Sequence, residues 1–304
     1  MLDNREWDLI RRLAVLDDPI HPFIGDDCAE MPQHGLLVTT DHMAEGVHFD
    51  LSFMPPDSVG WRLMAANASD VIAMGSRPTH CTINLAFPMD RKEEGEKIIE
   101  GIVRFCRKYS IGCIGGDTTG APSFFVGATM FAPFPKYPWR RSGAKPGDRV
   151  FIAGEPGLSR AGLTALRRRR NDAPAAVERF LYPDPFVFFP PPVKLSAAID
   201  VSDSLVSELT LIARASRVSI EIMVEKIPVH AEVALISQEE GIPVYNFLLA
   251  SGEEFFLVVT SRDLVPGWYE IGIVTERSNH DVMVRADSGC LDLARLPVWD
   301  HFSR

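Results

Sequence analysis

Apolar residues recur along this chain with two periods, and the periods predict alternating helices and strands. Helical spacing of apolar positions occurs in residues 4–16, 58–74 and 91–109. Short apolar runs predict the first strands of the chain, at residues 35–40, 82–87, 111–114 and 124–131. Helices and strands that alternate in this way are typical of an α/β fold.

Residues 133–147 interrupt the alternation, because they are rich in Pro, Gly, Lys and Arg. Beyond this break the same pattern restarts. The predicted strands there are 149–153, one ending at 199, 218–224, 255–260 and 268–275, and the predicted helices are 159–170 and 203–215. The sequence therefore predicts two α/β domains, residues 1–138 and 139–304, with a cleft between them.

Composition narrows the possible partners. The 304 residues are 46% hydrophobic, which is enough for two ordinary cores, and the net charge of −10 disfavours nucleic acid or an anionic membrane as partner. Residues 1–16 have no uninterrupted apolar stretch, so neither a signal peptide nor a membrane span is expected there. Five cysteines without zinc spacing indicate free thiols and a cytoplasmic protein.

Five acidic segments follow predicted strands or helices, where side chains from separate elements can form one site. They are residues 25–27, 39–41, 69–70, 115–119 and 200–203. Hard cations such as Mg²⁺ prefer oxygen ligands and bind together with substrate phosphates, so the series predicts a metal-phosphate site. For any single segment a purely structural role has a prior of about one half or more, because Asp favours turns and helix caps.

Two of the five segments are more specific than the others. Gly115 and Gly116 permit close backbone approach to a ligand, beside the carboxylate of Asp117. Asp200 and Asp203 bracket a predicted strand-to-helix turn whose N–H groups are able to receive a phosphate oxygen. Neither a Walker A sequence nor a GxGxxG following a strand is present in the sequence, which excludes the two usual phosphate-binding loops.

Read in order, these segments and their neighbours resemble the thiamine-monophosphate kinase family, within the ATP-binding superfamily of aminoimidazole ribonucleotide synthetase. The resemblance rests on IGDDCA (24–29), TTDHMAEGVHF (39–49), NASDVIAMGSRP (67–78), IGGDTTG (114–120), RSGAKPGDRVFIAG (141–154), AIDVSDSL (198–205), SGEE (251–254) and WDHF (299–302). It implies that the γ-phosphoryl group of ATP passes to thiamine monophosphate with the help of Mg²⁺. It also implies an α/β (α+β) fold like that of aminoimidazole ribonucleotide synthetase, with a mixed N-terminal sheet and helices and a C-terminal α/β domain that completes the cleft. A homodimer is expected as well, in which the N-terminal domain binds ATP and metal and dimerises.

The resemblance assigns roles to individual residues of this chain. It implies Mg²⁺ ligation by Asp27, Asp41, Asp70, Asp117, Asp200 and Asp203, with Thr39 and Thr40 assisting through hydroxyl or carbonyl oxygens. Asp117 and Asp203 are the residues expected to act in catalysis. Nucleotide phosphates are expected at Gly116, Asp117, Arg141 and Ser202, and the thiamine substrate at His48, Glu253 and Trp299.

Four of these residues have plain structural alternatives. The alternative for His48 is a hydrogen bond to the backbone at a strand end. The alternative for Trp299 is to seal a core instead of stacking on thiamine. Glu253 is alternatively a solvent-exposed turn residue, and Arg141 is alternatively a charged residue of the linker instead of a phosphate ligand.

The chain departs from the family pattern around the cleft. Ser204 and Gly120 replace a glycine and an arginine that the family usually has, and residues 182–186 read Tyr-Pro-Asp-Pro-Phe. These departures leave two alternatives open: a superfamily kinase or synthetase with another acceptor, or a nucleotide-binding homologue without turnover.

Overall fold

The computed structural model describes residues 25–189, 193–287 and 289–296. The predicted helix 4–16 and Trp299 lie outside the described residues. In the described part, the chain forms two mixed sheets, of five and seven strands. The α/β prediction is confirmed, and the predicted division between residues 138 and 139, which falls in the segment between the two sheets, stays a prediction.

The first sheet has the strand order β1-β2-β5-β3-β4. Its strands are β1 (Ala29–Met31), β2 (Leu36–Ala44), β3 (His80–Phe87), β4 (Gly112–Gly120) and β5 (Phe125–Pro133). Only β3 and β4 pair in parallel, and β4 forms one edge. Two helices, α1 (Pro56–Ala73) and α2 (Lys92–Tyr109), follow β2 and β3 in the chain and pack against each other.

The second sheet has the order β12-β11-β8-β10-β6-β9-β7. The strands are β6 (Arg149–Ile152), β7 (Ala197–Asp200), β8 (Ser219–Met223), β9 (Leu257–Ser261), β10 (Tyr269–Thr275), β11 (Val282–Ala286) and β12 (Gly289–Cys290). The helices of this half are α3 (Leu158–Arg167), α4 (Pro174–Leu181), α5 (Leu205–Ser216), α6 (Ala231–Glu240) and α7 (Val244–Ala250). Asp200 is the last residue of β7, so its carboxylate lies at the carboxyl end of an edge strand.

Helix α1 lies between the two halves and positions the site. Fifteen of its 18 residues are buried, because it contacts β2 and β5 on one side and β7 and α4 on the other. Its sequence is apolar nearly all round, which is typical of a helix enclosed by protein. Four of its polar residues are buried, and each has a hydrogen-bond partner: Ser58, Arg62, Asn67 and Ser69.

Several predicted boundaries were wrong, and hydrogen bonding explains why. Residues 39–41 do not end a strand, since β2 pairs with β5 as far as Ala44. Residues 115–119 form the middle of β4 instead of a turn, because β3 offers paired positions up to Phe87. Strand period alone does not reveal that a glycine-rich acidic segment has a neighbouring strand to pair with.

Sequence reasoning missed β1, α4, α6, α7, β11 and β12. Residues 180–192 contain the Tyr-Pro-Asp-Pro-Phe departure from the family pattern. In the described part of that segment, Trp61 Nε1 donates to the Pro183 carbonyl at 2.8 Å and the Phe186 ring stacks on Tyr109 at 4.0 Å. These contacts fix the segment against α1 and α2. Among the described helices, none combines the length and apolar character needed to cross a membrane.

Candidate functional site

Three carboxylates from distant parts of the chain meet beside α1. Oxygen atoms of Asp27, Asp70 and Asp200 all lie within 4.8 Å of one another. Asp27 lies just before β1, Asp70 is in the last turn of α1, and Asp200 ends β7, so both halves of the chain contribute. Carboxylate oxygens grouped at this spacing are suited to hold a hard divalent cation.

Short hydrogen bonds orient each of the three carboxylates. The Thr39 hydroxyl donates to Asp70 at 2.6 Å, and the Ser69 hydroxyl donates to Asp200 at the same distance. The Arg141 guanidinium donates to Asp27 Oδ1, also at 2.6 Å. The other oxygen, Asp27 Oδ2, is buried and has no partner in the described part of the chain. A buried, unpartnered carboxylate oxygen is costly unless something binds it, so it fits a bound cation.

Burial and mutual repulsion make these acids hard to ionise. Burial raises the pKa of Asp200 to about 8, and the neighbouring Asp27 adds to the rise. Burial, together with the charges of Asp41 and Asp200, raises the pKa of Asp70 well above its usual range. Two unit charges about 4 Å apart near a protein surface repel by about 4 kcal/mol. A divalent cation bound between the carboxylates offsets this repulsion. Uncharged side chains at the same positions would not repel one another and would not need a cation.

Asp41 lies close enough to Asp70 and Asp200 for their charges to interact, and Asp203 lies close enough to interact with Asp41. Burial raises the pKa of Asp41, and the charges of Asp203 and Glu253 raise it further. The backbone N–H of Asp41 donates to Asn67 Oδ1 at 3.2 Å, which ties β2 to α1. Five of the six aspartates predicted as metal ligands are therefore grouped in one chain. Their role as ligands stays a prediction.

Two further acids belong to the same group and were missed by sequence reasoning. Asp26 accepts hydrogen bonds from the Arg141 backbone, and burial raises its pKa to about 6. Glu208, in the first turn of α5, is 1% exposed, and burial with the charges of Asp203 and Asp200 raises its pKa well above its usual range. No motif in the sequence distinguishes Glu208, which lies five residues after Asp203 in the first turn of a helix.

Glu208 changes the interpretation of the turn at residues 200–203. Its Oε1 accepts hydrogen bonds from the Asp203 N–H at 3.0 Å and from the Ser202 hydroxyl at 3.4 Å. The Asp203 N–H is thus occupied, contrary to the expectation that the turn has free donors for a phosphate. Ser204 is the N-cap of α5 and accepts from the Ser207 N–H at 3.1 Å, which accounts for the departure at that position.

The Glu253 loop packs directly on this turn. The Glu253 N–H donates to the Ser202 carbonyl at 2.6 Å. Glu253 has a φ of 55°, which is uncommon for a residue with a side chain. A Cβ on Gly252 would lie 2.6 Å from the Asp203 carbonyl oxygen, so glycine is required for this contact. The predicted substrate residue Glu253 is therefore held beside the acidic group.

Other predicted residues point elsewhere or lie outside the described part. The Thr40 hydroxyl donates to the Ala128 carbonyl at 3.0 Å, and its side chain lies on the opposite face of the sheet from that of Thr39. His48 Nδ1 accepts from the Ala44 N–H at 3.1 Å, as in the structural alternative. Arg141 is engaged with Asp26 and Asp27.

Gly116 and Asp117 lie far from the acidic group within one chain. Asp41 pairs with Ala128 on β5, Ala128 with Ile83 on β3, and Ile83 with Gly116 on β4. Three interstrand steps span about 14 Å. Asp117 is exposed and, being next to Gly116, points to the other face of the sheet from Asp41. The sixth predicted metal ligand is thus not with the other five in a single chain.

Comparisons with known proteins agree with the geometry of the site. The family described as "AIR synthase related protein, N-terminal domain" matches residues 25–132. The thiamine-monophosphate kinase of Bacillus subtilis is 32% identical over 98% of this chain and 99% of its own length. That of Aquifex aeolicus is 33% identical over 78% of this chain and 80% of its own length.

Solved structures give the same result. The crystal structure of thiamine monophosphate kinase from Aquifex aeolicus superposes with a TM-score of 0.81 at 30% identity, covering 94% of this chain and 96% of that one. A structure described as AaThiL complexed with AMPPCP and TMP gives 0.84 at 30% identity, covering 98% and 96%. Hydrogenase maturation protein HypE in complex with ATP, 18% identical, shares the fold with a TM-score of 0.68 over 97% of each chain. From its full-length similarity to these relatives, the chain belongs to the thiamine-monophosphate kinase family.

Proposed function

We propose that this protein transfers the γ-phosphoryl group of ATP to the phosphate of thiamine monophosphate, which gives thiamine diphosphate and ADP. The observation that carries the proposal is the meeting of Asp27, Asp70 and Asp200 within 4.8 Å in a chain that matches thiamine-monophosphate kinases over its whole length. ATP and thiamine monophosphate are the two substrates, and Mg²⁺ is the cofactor.

Two anionic molecules must approach each other at this site. Mg²⁺ bound by the aspartates supplies charge neutralisation and aligns the phosphates, as in other phosphoryl-transfer enzymes. The ions would be held by oxygen atoms of five aspartates and two threonines. These are the carboxylates of Asp27, Asp41, Asp70, Asp200 and Asp203, a hydroxyl or carbonyl oxygen of Thr39, and the carbonyl oxygen of Thr40. The attacking group is a phosphate oxygen with a second pKa of about 6, so it is largely ionised at neutral pH and needs no general base.

The acceptor is expected beside the Glu253 loop. Glu253 is placed to accept hydrogen bonds from the amino-pyrimidine edge, and we assign His48 and Trp299 to the same substrate. Arg141 would reach nucleotide phosphate while its guanidinium holds Asp27, and Ser202 contacts the nucleotide from the turn before α5. Arginine suits both partners because its planar fork binds several oxygens at once.

We also propose that the enzyme is a homodimer in which β4 of each chain reaches the partner's site. Strand β4 forms one edge of its sheet, and all nine of its residues are exposed. Its neighbourhood is apolar, since Ile114, Ile99 and Val103 are 62%, 39% and 37% exposed. An exposed edge strand with apolar neighbours is normally covered in the assembled protein. A partner chain would bring Gly116 and Asp117 to the nucleotide phosphates and metals.

The proposed compartment is the cytosol. All five cysteines are free thiols, which is expected of a protein in a reducing compartment.

The decisive experiment is incubation of the purified protein with MgATP and thiamine monophosphate, with thiamine diphosphate and ADP measured by chromatography. We expect equal amounts of both products. Asp70→Asn should lower kcat by about a hundredfold or more, as expected for loss of a charged group that stabilises the transition state.

Asp172→Asn is the matched control, because Asp172 is 54% exposed and pairs only with surface arginine Arg170 in the described part of the chain. It should keep full activity. ADP release that requires a different acceptor would reject thiamine monophosphate. MgATP binding without any turnover would reject the kinase.

A further inference from the structure

A fully buried arginine lies beneath the Glu253 loop. Arg62, in the second turn of α1, has a side chain with 0% exposure. Its Nη2 donates to Glu253 Oε2 at 2.5 Å, and its Nη1 donates to the Phe180 carbonyl. The guanidinium also stacks over the Phe180 ring, 4.1 Å from the ring centre. These contacts hold the guanidinium from two sides.

Burying a guanidinium is unfavourable unless it is paired, and Nε of Arg62 has no partner in the described part of the chain. An apolar residue at this position would avoid that cost, since most of the buried neighbours of Arg62 on this helix are apolar. Replacement of buried ion pairs by apolar residues is often neutral or stabilising in other proteins. Stability alone therefore gives a weak reason for an arginine here, and its partner Glu253 gives a functional one.

Glu253 is partly open to the cleft, because its side chain is 33% exposed while Arg62 is enclosed. Arg62 binds one carboxylate oxygen, Oε2, and the other has no hydrogen-bond partner in the described part of the chain. The backbone of Glu253 is fixed independently by its hydrogen bond to Ser202. A carboxylate held in this way has one orientation before substrate arrives, which reduces the entropy lost on binding.

Helix α1 links this ion pair to the metal-competent group. Arg62 and Ser69 are seven residues apart, so they lie on the same face of the helix. Both contact the C-terminal half of the chain: Arg62 through Glu253, and Ser69 through Asp200. A single rigid element thus fixes the distance between the acceptor-binding loop and the carboxylates.

We propose that Arg62 is a positioning residue for the acceptor: it orients the Glu253 carboxylate toward the substrate and aligns it with the metal-competent group. The proposal rests on the proposed function, in which Glu253 contacts thiamine monophosphate. Arg62 itself is enclosed and touches no substrate.

The test is a double-mutant cycle with Arg62→Met, Glu253→Gln and the combined variant, measured as KM for thiamine monophosphate and for MgATP. Arg62→Met should raise KM for thiamine monophosphate by about tenfold or more, as expected for loss of a hydrogen bond to a charged group, with KM for MgATP within about twofold. The combined variant should be no worse than Glu253→Gln alone.

Two further variants separate positioning from stability. Arg62→Lys keeps the charge but loses the fork, so KM for the acceptor should rise less than in Arg62→Met. Arg214→Met removes an arginine paired with Asp281 away from the site and should leave both KM values unchanged.

Multiplicative effects of Arg62→Met and Glu253→Gln would overturn the proposal, as would a lower Tm with an unchanged KM. If Arg62→Met does not fold, an unchanged KM in Arg62→Lys would overturn it. If the wild-type protein does not turn over thiamine monophosphate, the proposed function is overturned instead. The double-mutant cycle would then be measured with the acceptor that supports ADP release.

Discussion

Neutralising Asp200 should abolish activity and yet stabilise the metal-free protein. Asp200 is 2% exposed, and its carboxylate accepts from Ser69 while lying within 4.8 Å of oxygens of Asp27 and Asp70. Asparagine has nearly the same shape and keeps an oxygen that can accept the Ser69 bond. The Asp200→Asn change therefore removes mainly the charge.

The size of the effect follows from the pKa of Asp200, which burial raises from 3.8 to about 8. The unfolded chain loses this proton near pH 4, whereas the metal-free folded protein keeps it until about pH 8. Stability of the metal-free wild type is therefore lost as pH rises through this window, and the full loss is on the order of 5 kcal/mol. The asparagine variant lacks this slope, so it should be the more stable protein at pH 8.

Urea unfolding of both proteins in EDTA between pH 5 and pH 8 measures the difference directly. The Asp200 charge should lower the stability of the wild type by about 2 kcal/mol at pH 5 and by about 5 kcal/mol at pH 8, so the difference from the variant should grow with pH. Adding Mg²⁺ should stabilise the wild type more than the variant, because a cation that binds the folded state shifts its stability by mass action. A variant that is less stable than the wild type at pH 8 in EDTA would refute the electrostatic reasoning.

Two other predictions concern β4. Asp117→Ala and Asp41→Ala should each be inactive by themselves. After the two variants are mixed, about one quarter of wild-type activity should return, because half of the randomly formed dimers contain both variants and one of the two sites in each such dimer is complete. No recovery after mixing would contradict a shared site. Gly116→Ala should unfold β4 or abolish activity, because its Cβ would lie 1.8 Å from the Ile83 carbonyl oxygen at a φ of 148°; circular dichroism and kcat would show normal values if this contact is relieved.

The sequence was sufficient to predict that Asp27, Asp70 and Asp200 meet, because the order of motifs specifies family and fold. Asp27, Asp70 and Asp200 are 43 and 130 residues apart, yet oxygens of all three lie within 4.8 Å of one another. Spacing alone did not predict this meeting, since the contact depends on α1 packing between two sheets. The resemblance supplied the tertiary information that local periodicity lacks.

Sequence reasoning missed residues whose importance depends on burial. Arg62 lies in an apolar helix and has no motif around it, and Glu208 follows a capped helix start like many surface glutamates. Both became candidates only when the structure placed them at 0% and 1% exposure beside Glu253 and Asp203. A charged residue in an apolar stretch is a sequence signal, but its partner is not readable from the sequence.

The balance of charge explains why the site needs cations as well as residues. The acids that lie close enough for their charges to couple are Asp26, Asp27, Asp41, Asp70, Asp200, Asp203 and Glu208. Arg141 binds two of them, Asp27 through its guanidinium and Asp26 through its backbone N–H. Protonation can relieve this excess of negative charge at low pH, but ATP would then meet neutral acids that bind metal poorly. At neutral pH divalent cations offset the same charge and attract phosphates, so the feature that destabilises the empty fold is the one that recruits both substrates.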